Sequence, residues 1–194
     1  PVAQPGGFQA ILRGVQPSAA GKVGEQTEPL FYLRQAVSFQ SEGKETEAAE
    51  ELERAVQFGL DHPAAYFFLG YMALQHKDHE KAGQYLQKAV QDADLVLASR
   101  LLQGSSFYET GSFEQATTQY MLALWSAEAQ VVPTDQSVQL RSLYPSWIDA
   151  ETKLTDQTGR KDLCNTIRGL LERIDWQAKI IQTREELKVD KKQG

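Results

Sequence analysis

Residues 63–96 read PAAYFFLGYMALQHKDHEKAGQYLQKAVQDADLV, and this stretch decides the fold. Gly70 sits in an apolar run that opens at Pro63, and Ala82 and Ala89 sit in an amphipathic run beyond a polar turn at His76–Glu80. The same small residues return 34 positions away on either side: Ala48 and Ala116 with Ala82, Ala55 and Ala123 with Ala89, Ala36 and Gly104 with Gly70. A period of this length marks a helical repeat whose unit is a pair of antiparallel helices. Small residues at fixed register have a physical role, because helices approach to ~8–10 Å only where the side chains between them are small. One such unit cannot bury both of its faces, so neighbouring copies must stack.

The register gives three repeats, at residues 29–62, 63–96 and 97–130. In the first, helices are expected at Leu30–Ser41 and Thr46–Phe58, joined through Glu42-Gly43-Lys44, with glycine supplying the left-handed turn. Leu52, Ala55 and Val56 should face inward, with Glu47, Glu50, Glu51 and Glu53 on the solvated side. In the second, Asp61 is the expected helix cap and Pro63 suits the first turn. In the third, Thr110-Gly111-Ser112 is the turn, and Tyr120, Ala123 and Leu124 supply the packing face. Arg100, Gln35 and Gln103 depart from the apolar residues expected in their columns.

Residues 1–28 hold Pro1, Pro5, Pro17 and five glycines and read as a linker, with a short amphipathic helix expected at Phe8–Arg13. Pro1 in place of an initiating Met reads as the start of a mature form or of a piece of a longer protein. Beyond Gln130 the period stops. Residues 131–194 are expected to add helices that cap the last repeat, since the outer face of a terminal repeat would otherwise be bare. The first of these is expected at Ser137–Thr155, capped by Asp135 or Ser137, with Leu140, Tyr144, Trp147 and Leu154 on its buried face and a kink or break at Pro145. Thr158-Gly159 then reads as a turn. Leu163, Ile167, Leu170, Leu171 and Ile174 form a second stripe, beside which Cys164 reads as a core residue. Asp175 is the expected cap of a last helix with Trp176, Ile180, Ile181 and Leu187 inward, and Lys188–Gly194 should fray.

Composition narrows the function. Hydrophobic residues make up 41 % and charged residues 24 % of the 194, as in a water-soluble globular chain. A net charge of −6 without a basic stripe argues against nucleic acid and against an anionic membrane surface. No apolar run reaches the ~18–20 residues that span a bilayer. A single cysteine excludes an intrachain disulfide and a Cys-rich metal site, and fits a cytoplasmic location. His62, His76 and His79 fall in turns, where polar residues are ordinary, and no metal or other cofactor is expected. No Gly-rich phosphate loop or nucleophile elbow is present, so no enzyme activity is expected.

Residues 29–130 resemble three tandem tetratricopeptide repeats. The residues that carry the resemblance are Tyr66, Leu69, Gly70, Ala82, Leu86 and Ala89 in the second repeat. In the first they are Tyr32, Ala36, Phe39, Ala48, Leu52 and Ala55, and in the third Gly104, Phe107, Ala116, Tyr120 and Ala123. The resemblance implies an all-α superhelix whose first helices line a concave groove for a peptide or helix. It places Leu33 and Val37, then Phe67, Tyr71 and Leu74, then Leu101 and Tyr108 in that groove. Groove positions of this chain lack the Lys, Arg and Asn with which one subfamily clamps a peptide carboxylate. An apolar groove suits a hydrophobic or amphipathic segment instead.

The expected function is a non-catalytic scaffold for a protein or peptide partner. The alternatives are a chaperone for a secreted or assembling client and, further off, the helical domain of an enzyme. Dimerisation through Trp147, Trp176 or the groove stays open at this level, as does self-filling of the groove by the C-terminal helices.

Overall fold

Three residues spaced by the repeat period adopt left-handed backbone: Gly43 (φ 76°), Lys77 (φ 59°) and Gly111 (φ 77°). Each follows the first helix of a hairpin and reverses the chain. In this computed structural model residues 27–154 and 156–193 are described, with the side chains of residues 28–153 and 156–185. The Phe8–Arg13 helix expected from the sequence lies outside the described residues, as do the side chains of Leu154 and Leu187.

The described residues are all-α, without a strand among them. The helices are α1 (Thr27–Ser41), α2 (Glu45–Gln57), α3 (Pro63–Gln75), α4 (His79–Ala89), α5 (Val96–Glu109), α6 (Phe113–Val131), α7 (Thr134–Leu154), α8 (Gln157–Leu171) and α9 (Trp176–Gln193). Three helix pairs, α1–α2, α3–α4 and α5–α6, form hairpins over residues 27–57, 63–89 and 96–131. The described residues up to Leu95 form one compact unit and those from Val96 a second.

In the first unit α1 packs on α2, α2 on α3 and α3 on α4. Its core gathers Leu33, Ala36, Ala48, Leu52, Ala55, Ala65, Phe68, Leu69 and Met72. Helix α3 buries residues from Ala64 through Gly70, then Met72 and Ala73, so it has scarcely any polar face. A helix apolar all round belongs in an interior. Helix α1 starts at Thr27, ahead of the expected Leu30, with Glu28 in its first turn where the helix dipole favours an acid. The cap of α3 is His62, not Asp61: the Nδ1 of His62 accepts from the N–H of Ala64 at 3.2 Å. Glu51 is buried rather than solvated. It lies three residues after Ala48 and four before Ala55, hence on their face, and its Oε1 accepts from Arg54 at 2.7 Å.

The second unit is built on α6, against which α5, α7, α8 and α9 all pack. Ala116, Tyr120, Met121, Ala123 and Ala127 of α6 join Cys164, Ile167, Leu171 and Ile180 in its core. Cys164 is buried there, with its Sγ 3.5 Å from the Thr117 hydroxyl. Several details differ from expectation. Helix α7 begins at Thr134 because the carbonyl of Pro133 accepts from the N–H groups of Gln136 and Ser137, both at 3.0 Å. Neither Asp135 nor Ser137 is its cap. The helix continues through Pro145, which is exposed, and the buried Tyr144 holds the turn beside it. Its inward row is Leu140, Tyr144, Ile148 and Thr152, while Trp147 is 44 % exposed. Thr158 and Gly159 lie inside α8, because Asp156 caps that helix by accepting from the Gly159 N–H at 2.7 Å. Helix α8 ends at Leu171, which leaves Ile174 93 % exposed. The Asp175 carboxylate is held by Arg173, at 2.8 and 3.0 Å, rather than by the N–H groups of α9. Ile180 is buried on α9, but Ile181 is exposed, and the helix runs to Gln193, past the point of expected fraying.

Lys77 is the one member of the turn column that carries a side chain into left-handed backbone. That conformation costs an L-residue roughly 1–2 kcal/mol, and glycine adopts it freely. Lys77→Gly is therefore expected to stabilise the chain by about 1 kcal/mol, part of the strain relief being offset by the greater freedom of glycine in the unfolded state. A urea titration checks this; a midpoint lower than wild type would contradict it.

Candidate functional site

The expected partner-binding residues of the first unit lie on α1 and α3. Leu33 is fully buried within the core, and Phe67 is only 6 % exposed. Val37 and Tyr71 are half-buried against the same core. Leu74, one turn beyond Tyr71, is half-buried as well. The accessible part of the expected face therefore consists of Val37, Tyr71 and Leu74.

In the second unit, Leu101 and Tyr108 of α5 are half-buried and pack against a core that α8 and α9 help to build. Helix α8 covers the end of the α5–α6 hairpin. The Arg168 guanidinium lies 5.4 Å above the Tyr108 ring. Tyr108 meets Phe113 edge-on at 5.3 Å, and the Lys161 ammonium sits 4.6 Å above Phe113. Lys161, Cys164 and Arg168 form one stripe of α8, with the buried cysteine between the two cations. That spacing was readable in the sequence, but its destination on Tyr108 and Phe113 was not.

Two polar bridges also escape sequence reasoning. Arg100, which stands where an aromatic residue was expected, is half-buried and donates to the Oε1 of Gln119 at 2.7 Å, tying α5 to α6. Glu53 of α2 receives the Lys81 ammonium at 2.6 Å and the Tyr85 hydroxyl at 2.8 Å, both from α4. This joins the first repeat to the second. Burial and the neighbouring Glu53 carboxylate hold the Tyr85 phenol well above its ordinary range. Burial raises the Glu53 pKa, but the hydrogen bonds from Lys81 and Tyr85 outweigh it, and the carboxyl titrates below its ordinary 4.5. A carboxyl depressed on folding contributes stability that is complete above the unfolded value and lost as pH falls through the folded one. Wild type is thus expected to lose stability below about pH 4.5 more steeply than Glu53→Gln. Urea midpoints at neutral pH and near pH 3 measure the difference, and parallel losses would remove the bridge from the account.

The histidines serve local structure: His62 caps α3, His76 ends it and His79 opens α4. Among the described residues no group of three His, Cys, Asp or Glu is placed to hold a metal ion. No helix among them is long and apolar enough to cross a membrane.

A tetratricopeptide repeat family model matches residues 33–95. Those residues carry tetratricopeptide repeats. The matched residues run from within α1 to the residue before α5. No curated protein and no solved structure matched the chain. Tetratricopeptide repeats generally mediate protein–protein interaction and are typically non-catalytic.

Proposed function

We propose that this protein is a non-catalytic cytoplasmic scaffold that receives a hydrophobic or amphipathic peptide or helix on the α1–α3 face of its first unit. One observation carries the reading. Helix α3 is buried from Ala64 through Gly70 and again at Met72 and Ala73, yet Tyr71 and Leu74 stay partly open on it. Val37 of α1 adds a third half-buried apolar residue packed on the same core. Aromatic and aliphatic anchors held by a rigid core are the usual source of binding energy in such contacts. Leu33 and Phe67 support this face from beneath rather than meeting a partner. Tyr108 lies under Arg168 of α8 and Leu101 packs on the core of the second unit, so the proposed face draws on the first two repeats.

The test is affinity capture with the full chain and with Tyr71→Ala plus Leu74→Ala. Two anchors worth ~1–2 kcal/mol each should together lower retention of the bound protein at least tenfold. Circular dichroism establishes that the variant is folded. If every captured protein persists at wild-type levels on the folded variant, the face is not the binding site.

A further inference from the structure

The first unit holds a cavity that the proposed face does not use. It measures about 300 Å³ and is bounded by α2, the C-terminal half of α3 and the start of α4. Met72 and Ala73 contribute its apolar floor, and Glu50, Glu53, Asp78 and Lys81 stand at its polar edge. Successive residues of a helix turn by ~100°. Met72 and Ala73 therefore point away from the side of α3 that carries Tyr71 and Leu74, so the cavity and the proposed face are separate.

The electrostatics of the edge are unbalanced. Three carboxylates face one ammonium. That ammonium is already engaged, since Lys81 binds Glu53 at 2.6 Å while Tyr85 holds the same carboxylate at 2.8 Å. Asp78 uses one oxygen to cap α4 through the Lys81 N–H at 3.0 Å, which leaves its charge in place. Glu50 is exposed on α2. A ligand complementary to this lining has an apolar stem and a positive head. The volume suits one side chain, and arginine and lysine bury their methylenes along apolar surface while the charged end stays at a wet, acidic rim.

We propose that the cavity between α2, α3 and α4 receives a basic side chain of a protein partner, its aliphatic stem on Met72 and Ala73 and its cation between Glu50 and Asp78. The site is a charged determinant separate from the apolar Tyr71–Leu74 face, and charge complementarity of this kind sets specificity and association rate more than raw affinity.

Methyl-detected NMR of the full chain tests it, with N-acetyl-arginine amide as the probe and N-acetyl-citrulline amide as its neutral isostere. At low salt the Met72 and Ala73 methyls should shift and saturate with the arginine probe at millimolar concentration, while citrulline binds at least tenfold more weakly. Glu50→Gln changes an exposed residue, so its fold should persist, and it should weaken the arginine probe several-fold. A lysine probe that behaves like arginine also supports the site. Equal shifts with citrulline, shifts that never saturate, equal shifts at methyls throughout the chain, or an unchanged affinity in Glu50→Gln would each overturn it. Because the probe has no apolar anchor, failure here leaves the Tyr71–Leu74 reading standing, and the capture experiment there does not depend on Glu50.

Discussion

Gly70→Ala and Leu86→Ala are each expected to destabilise the first unit severely, and the double variant less than their sum. A Cβ at position 70 would lie 2.7 Å from the Cγ of Leu86, 2.9 Å from its Cδ2 and 3.3 Å from its backbone nitrogen. Leu86 is fully buried, so it has no solvent into which to retreat. Overpacking of this kind costs about 1–3 kcal/mol. Removing the Leu86 side chain instead opens a cavity, at about 2–5 kcal/mol. In the double variant the new methyl enters space that Leu86 has vacated, leaving only the tight approach to the backbone. The expected coupling is of the order of 0.5–3 kcal/mol and opposes both single losses. Urea unfolding followed by circular dichroism measures the four chains of the cycle. Additivity within about 0.5 kcal/mol would mean that Gly70 and Leu86 do not share the hairpin contact.

The same contact explains how far the fold was legible. A Cβ added at Gly104 would lie 3.1 Å from the ring of Tyr120, as one at Gly70 would meet Leu86. A small column on the first helix therefore meets a bulky column on the second, and both columns recur with the period. Such features depend on residues whose chemistry announces them. Lys77 does the work of Gly43 and Gly111 in the middle turn, but lysine carries no mark of left-handed backbone, so only the period points to it. Pro145 carries a strong mark, and of the kink or break it predicts the break does not occur. Being exposed, it leaves the carbonyl it would have paired with free to meet water, and α7 runs on.

The binding face was less legible than the fold, for a different reason. Helical spacing tells which side chains share a side of a helix and is silent on what lies against that side. Leu33 and Tyr71 were assigned by the same register, yet one is fully buried and the other half open. Tyr108 was assigned likewise, and its ring is capped by Arg168 from a helix outside the repeats. The Glu53 bridge is a similar case, since its Tyr85 partner stands 32 residues away and no local pattern joins them.

Tyr144→Ala is expected to have the largest effect of any single change in the second unit, about 3–5 kcal/mol by the measure of buried aromatic truncations. Tyr144 is 1 % exposed and lies between two indoles, 6.0 Å from Trp125 of α6 and 5.4 Å from Trp147 on its own helix. Its ring is thus the contact through which the middle of α7 meets α6. It also directly precedes Pro145, where the helix lacks one backbone hydrogen bond and relies on packing to persist. Loss of the ring therefore removes the packing and exposes the weak point together. Trp147→Ala is the matched control. Its ring is half in solvent and its indole N–H donates to Glu151 at 3.2 Å at the surface, so its removal should cost under about 1 kcal/mol. All three tryptophans of the chain, Trp125, Trp147 and Trp176, belong to this unit, so their fluorescence reports its unfolding directly. In Tyr144→Ala the fluorescence midpoint in urea should fall far below wild type, and the Trp125 emission should move to longer wavelength as water reaches the indole. A Tyr144→Ala chain that unfolds at the wild-type midpoint, or a Trp147→Ala chain that loses as much, would mean that α7 is held to α6 by something other than this ring.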